Sequence, residues 1–91
     1  MKFKVVAVTW VDAKWYHDSD TAELIQPSPA VTVGILIKED RRTIVIANEI
    51  HHDGHSRGLT VWAKKGSLRP IVTPLGEIDV TQAFDEYPHT H

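Results

Sequence analysis

The sequence predicts a mainly β protein, a small five-stranded barrel of the SH3-like or Sm-like type. Three observations support this fold class. Five short runs rich in β-branched and aromatic residues follow one another, polar segments of hairpin length separate most of them, and a glycine interrupts one run where a sheet would curl. The chain of 91 residues suffices for one domain. A sandwich fragment or an open sheet is the alternative.

The first run, Phe3–Val11, is apolar on both of its alternating faces. Such a strand fits a barrel, or a strand covered in an oligomer, better than a half-exposed hairpin. The segment Asp12–Asp20 is predicted as a loop. Asp20 begins a D-x-x-E capping box, which predicts one helical turn over Ala22–Ile25 before two prolines end the segment.

Two hairpins occupy the centre of the chain. Their strands are predicted at Val31–Lys38, Thr43–Ile50 and Leu59–Ala63, joined by the turn Glu39–Arg42 and the loop His51–Gly58. Gly34 lies inside the first of these strands. A glycine there predicts a bulge or a bend in the sheet.

The last strand is predicted at Leu68–Leu75. Pro70 and Pro74 lack an amide donor, so this strand belongs at a sheet edge or is broken. The barrel domain is therefore predicted to span residues 1–76, which contain all ten lysines and arginines and eight acidic residues. Residues 77–91 contain four acidic residues and no lysine or arginine, and form an acidic tail with a short helix near Gln82–Tyr87, or fray.

The composition limits the classes of function. The absence of cysteine excludes disulfides, thiolate metal sites and cysteine nucleophiles, and it suits a reducing cytoplasm. No apolar run approaches the about 20 residues of a membrane helix, and no signal-peptide cleavage site follows the N-terminus. We therefore expect a cytoplasmic protein without membrane contact. Because small domains without disulfides or structural metals often gain stability by association, we also expect a homo-oligomer.

Four short segments carry a resemblance to a known group of proteins. They are Trp10–Ala13, Val33–Asp40, Ile44–Ala47 and Lys65–Leu68. With these segments the sequence resembles small uncharacterised proteins of tailed phages and prophages, over about residues 5–76. Those proteins often carry proline where this chain has Lys64. The resemblance implies a phage-type accessory protein with an Sm-like small barrel, and it implies no reaction.

A histidine cluster lies in the predicted loop between the second and third central strands. His51, His52 and His55 surround Asp53, and imidazole with carboxylate can bind zinc, nickel or copper. The spacing fits no defined metal motif, and an Asp-Gly pair is also what a turn requires. A solvated hairpin tip, an incidental weak metal site, and a functional metal or phosphate contact assisted by Arg57 are the three interpretations.

Aromatic and basic residues supply the remaining candidates. Trp15, Tyr16 and His17 would flank a peptide groove or stack on bases, or they would cover one end of the barrel. The basic pairs are Arg41 with Arg42 and Lys64 with Lys65. These pairs would line a face for phosphate backbones if they were brought together, or they would serve as solvated charges that blunt sheet edges.

The sequence contains no nucleophile-elbow serine and no glycine-rich phosphate loop, so we expect a non-enzymatic protein without a cofactor. The leading hypothesis is a binding or assembly module that binds a host or phage protein or a nucleic acid. The alternatives are an Sm-like RNA or DNA binder and a binder of small phosphorylated molecules.

Overall fold

The computed structural model describes residues 1–12 and 28–86 of the chain. The strands are β1 Lys2–Asp12, β2 Ser28–Glu39, β3 Thr43–Ala47, β4 Glu49–Ile50, β5 Ser56–Arg57, β6 Thr60–Ala63 and β7 Ile71–Asp79, and the helix is α1 Thr81–Asp85. The predicted helical turn over Ala22–Ile25 lies outside the described residues.

Five of the strands form one antiparallel sheet in the order β6-β3-β2-β1-β7, and β4 and β5 form a separate two-stranded sheet. The prediction of a mainly β protein with a five-stranded antiparallel sheet is confirmed. The last strand, β7, pairs with the first, β1, and lies at one edge of the large sheet. No ladder joins β6 to β7 within the described part of the chain, so these five strands form a sheet that is open between β6 and β7.

Strand β2 is shared between two groups of strands. Its first part pairs with β1 from Ser28 to Ile35, and its second part pairs with β3 from Ile35 to Glu39. At the junction, a Cβ on Gly34 would lie 2.8 Å from the carbonyl oxygen of Ala47. The glycine therefore allows the end of β3 to approach the β2 backbone closely. The bulge expected at Gly34 lies instead near Ile37, where the register shifts between positions 36 and 38.

The core is small and lies on one face of this sheet. Its buried apolar residues are Val6, Val8, Ile44, Ile46, Ala47 and Trp62, and Trp10, Leu36 and Val72 pack against this cluster. Because successive residues of a strand point to opposite faces, the even-numbered residues of β1 face this core and the odd-numbered residues face away from it. The indole NH of Trp10 donates a hydrogen bond to Thr32 Oγ1 at 2.9 Å on the core face.

The last strand lies at a sheet edge, as its prolines predict. Pro74 pairs with Val6 next to a bulge that leaves Leu75 without a partner in the β1 register. β7 begins at Ile71 rather than Leu68 and continues to Asp79, so the boundary placed after residue 76 falls inside the strand. The predicted C-terminal helix is present as α1.

The run predicted as one strand from Thr43 to Ile50 is broken, and this prediction is wrong. Asn48 lies outside both strands, and its backbone NH bonds the carbonyl of Arg57 at 3.2 Å. Its side-chain amide occupies the space beside Gly58, which has a φ of +66°. The chain thereby leaves the large sheet and forms the small β4–β5 hairpin. No helix among the described residues is long and apolar enough to cross a membrane.

Candidate functional site

The two predicted basic pairs meet at one end of the large sheet. Arg41 and Arg42 form the tip of the β2–β3 turn, and Lys64 and Lys65 follow the end of β6. β3 and β6 are neighbouring strands, and the NH of Lys64 donates to the carbonyl of Arg42 at 2.8 Å. The four cationic residues therefore lie on two adjacent chain reversals of a single copy. We call this cluster, together with Lys38, the basic end.

The turn that carries the two arginines is fixed by one carboxylate. Asp40 Oδ1 accepts hydrogen bonds from the backbone NH groups of Arg42 and Thr43, both at 2.8 Å, and from Thr43 Oγ1 at 3.1 Å. Lys38 Nζ lies 3.2 Å from the other carboxylate oxygen. These bonds hold the pKa of Asp40 well below its usual value, the NH of Arg42 being the largest cause. Arg41 and Arg42 thus project into solvent from an ordered turn.

The basic end has a net positive charge. It holds five cationic side chains and the two carboxylates of Glu39 and Asp40. Each carboxylate is paired with a lysine, since Lys64 Nζ lies 3.1 Å from Glu39 Oε2 and Lys38 pairs with Asp40.

Three cations of the basic end, Arg41, Arg42 and Lys65, form no ion pair with another described residue. All three are exposed. An exposed guanidinium group without an ion pair presents pairs of N–H donors whose geometry matches the oxygens of a phosphate or a carboxylate.

The histidine cluster forms two separate pairs in the β4–β5 hairpin. His51 Nε2 lies 2.6 Å from Glu49 Oε2, and His55 Nδ1 lies 2.8 Å from Asp53 Oδ2. Asp53 also accepts the backbone NH of His55 at 2.9 Å. That NH, followed by the His55 ring, lowers the pKa of Asp53 to about 2.

The third histidine of the loop faces a different element. The ring of His52 lies edge-on to Phe84 of α1, with 6.4 Å between the ring centroids. Among residues 1–12 and 28–86, no group of three metal-ligating side chains converges on one point. The histidines that were predicted together, His51, His52 and His55, therefore have three different neighbours, Glu49, Asp53 and Phe84.

An open groove of about 440 Å³ lies on the core face between β1, β2 and β7. Val6, Leu36 and Val72 contribute to its apolar floor. The charged residues in its lining are Lys4, Glu39 and Glu77. Two carboxylates against one lysine disfavour a phosphate in this groove.

The remaining candidates lie elsewhere. Arg57 is an exposed residue of β5, in the small sheet rather than in the basic end. Trp15, Tyr16 and His17 lie outside the described residues. Sequence reasoning missed Lys38 and the role of Asp40. The signal for Asp40 is present in the sequence, because an aspartate before a tight turn commonly accepts the turn's own backbone NH groups.

The fold and the candidate site define a small mainly β protein with a basic end. The chain matches no protein-family model, no curated protein and no solved structure. The resemblance to phage and prophage proteins therefore stays a prediction from the sequence.

Proposed function

We propose that this chain is a non-enzymatic binding module that holds a nucleic-acid phosphate backbone at its basic end. The observation that carries the proposal is the hydrogen bond between Lys64 NH and the Arg42 carbonyl, which puts the two basic chain reversals side by side. Binding to a phosphate backbone is driven by the release of condensed counterions, and it requires several cations close together. The basic end provides them within one copy.

The shape of the basic end favours an extended polyanion over a small phosphorylated molecule. Small ligands bind in concave sites that surround most of their surface. Arg41 and Arg42 stand instead at an exposed turn, and the groove on the core face has two carboxylates in its lining. A strand of phosphates can follow such an exposed surface, whereas a single phosphate would remain largely in solvent.

We propose further that the sheet is of the SH3-like or Sm-like barrel type. Two features support this class: β7 returns to pair with β1, and β2 is shared between two groups of strands with Gly34 at the junction. In this proposal the protein acts in the cytoplasm as an accessory protein of the phage type that its sequence resembles.

The test is binding to fluorescent single-stranded oligonucleotides of mixed sequence, followed by anisotropy over a series of salt concentrations. With about four phosphate contacts, log affinity should fall against log salt with a slope of about −3. Arg41→Gln with Arg42→Gln should reduce that slope to about −1.4, because each lost contact removes about 0.7.

Arg57→Gln with Arg69→Gln is the matched control, since it removes the same charge from residues outside the basic end. This control should keep most of the wild-type slope. Absence of binding at low salt, or an equal loss in the two double variants, would contradict the proposal.

A further inference from the structure

The face of the sheet that points away from the core is uncharged over three strands. Register pairing places thirteen residues on it: Phe3, Val5, Ala7, Thr9 and Val11 of β1, Pro29, Val31, Val33 and Ile35 of β2, and Ile71, Thr73, Gly76 and Ile78 of β7. None of the thirteen is charged. We call this surface the outer face.

The charges of β1 and β7 lie on the opposite side. Lys2 pairs with Asp79 and Lys4 pairs with Glu77. All four lie next to outer-face residues along their strands, so they point to the opposite side of the sheet. An antiparallel sheet that is solvated on one side normally places its polar residues on that side. Here the four charged residues lie on the core side, and the outer face holds no charge although its residues in β7 and most of those in β2 are exposed.

The outer face is large enough to form a subunit interface. Val31, Val33 and Ile71 are 63%, 55% and 65% exposed, and Ile78 is 39% exposed. These four residues alone leave roughly 400 Å² uncovered, within the range of the largest patch on a typical monomer. Pro29, Thr73 and Gly76 are exposed as well and the remaining six residues are half-buried, so the whole face offers an area of the same order as the about 800 Å² that each partner contributes to a standard interface.

We infer that the outer face binds the outer face of a second copy of this chain. A two-fold contact joins the same patch on both subunits, so the patch must be complementary to itself. An uncharged apolar sheet face meets this condition, because it brings no like charges together and buries no unpaired charge. Sheets of this kind pack about 10 Å apart with their strands nearly aligned.

The small core supplies the energetic reason for this contact. Six buried apolar residues make up the core of the described chain. A domain of this size gains little from its own core, and burial of a second apolar face adds to it. The inference is independent of the proposed nucleic-acid binding, because the outer face contains no residue of the basic end.

The test is the solution mass of the full chain over about 1–100 μM, the range in which moderate association is measured. The wild type should be a dimer or a multiple of it. Val31→Lys with Ile71→Lys should weaken association at least 100-fold, because it buries two unpaired charges in each patch. Val61→Lys is the matched control, since Val61 is a strand valine 59% exposed outside the outer face, and it should leave the mass unchanged.

A second measurement separates loss of association from loss of folding. The chain has no cysteine, so Val33→Cys provides a single site for a spin label. Labels on two packed outer faces should show dipolar broadening in the spin-resonance spectrum, and labels at Val61→Cys should not. A monomeric wild type, an unchanged mass in the double lysine variant, or equal spectra at the two labelled positions would overturn the inference.

Discussion

Gly34 is the position at which one added methyl group tests the architecture most directly. In a strand interior, replacing glycine with alanine ordinarily raises stability by about 0.5–1 kcal/mol, because alanine loses less backbone freedom on folding. The structure predicts the opposite sign at Gly34. Its new Cβ would lie 2.8 Å from the Ala47 carbonyl oxygen and 2.8 Å from Ile46 Cδ1.

The magnitude follows from which neighbour can move. Carbon atoms in ordinary contact lie about 3.5–4.0 Å from their neighbours, so both contacts require a shift. The Ile46 methyl can move by side-chain rotation, whereas the carbonyl belongs to the buried backbone of Ala47, which pairs with Ile35. Overpacking of this kind costs about 1–3 kcal/mol. After the backbone gain is subtracted, we expect Gly34→Ala to lower the free energy of unfolding by about 1–2 kcal/mol.

Thermal and urea unfolding measure this change. For a domain of this size the melting temperature should fall by about 5–15 °C. Ile46→Val removes Cδ1 and should alone lower the free energy of unfolding by about 0.5–1.5 kcal/mol. The double variant with Gly34→Ala should lose less stability than the two single variants together, because one of the two close contacts is gone. If Gly34→Ala is as stable as the wild type or more stable, the close approach of β3 to Gly34 is refuted.

Two further predictions concern the β4–β5 hairpin. Gly58 has a φ of +66°, and a Cβ there would overlap the Asn48 amide, so Gly58→Ala should lower the free energy of unfolding by about 2–3 kcal/mol. Adding Asn48→Ala should remove the overlap and leave only the about 1–2 kcal/mol of left-handed strain. Full additivity in this double-mutant cycle would rule out the contact. The folded-state pKa of Asp53, about 2, lies below the ordinary value of 3.8 for an aspartate, so its stabilisation of the hairpin is present above about pH 4 and is lost as the pH falls through 2. The protection of the His55 amide, measured from its exchange rate relative to the intrinsic rate at the same pH, should therefore fall between pH 4 and 2 in the wild type and not in Asp53→Asn, and equal pH profiles would exclude this role.

The sequence was sufficient to predict the strands that are rich in β-branched and aromatic residues. Phe3–Val11 became β1 with one residue added at each end, and the turn before Thr43 lies where its polar residues predict it. Backbone chemistry also predicted that β7 lies at an edge, because Pro74 cannot donate to a second neighbour. These features depend on local properties of the chain, and local properties can be recognised without knowing the partners.

The features that were missed depend on partners distant in sequence. β3 stops at Ala47 although Ile50 continues the apolar run, because Asn48 bonds Arg57 instead of extending the ladder. β7 continues beyond Leu75 because its bulge lets Gly76 pair with Val5. Neither contact can be derived from residue type at one position.

The candidate site was predicted in its parts rather than as a whole. Arg41 with Arg42 and Lys64 with Lys65 were selected as separate basic pairs, and only the β3–β6 ladder places them together. The histidines show the reverse case. Three of them lie within five positions of the sequence, yet each of His51, His52 and His55 contacts a different residue.

Gly34 lies in β2 between the strands that form the basic end and the strands that form the outer face. The basic end belongs to the second part of β2 with β3 and β6, and the outer face belongs to the first part of β2 with β1 and β7. Charge changes at Arg41 and Arg42 should therefore affect nucleic-acid binding without changing the mass of the assembly. The added Cβ of Gly34→Ala would press on Ala47 and Ile46 of β3 at the junction, so we expect this substitution to disturb both surfaces at once. If Gly34→Ala alters only nucleic-acid binding or only the mass of the assembly, the shared strand β2 does not couple the two surfaces.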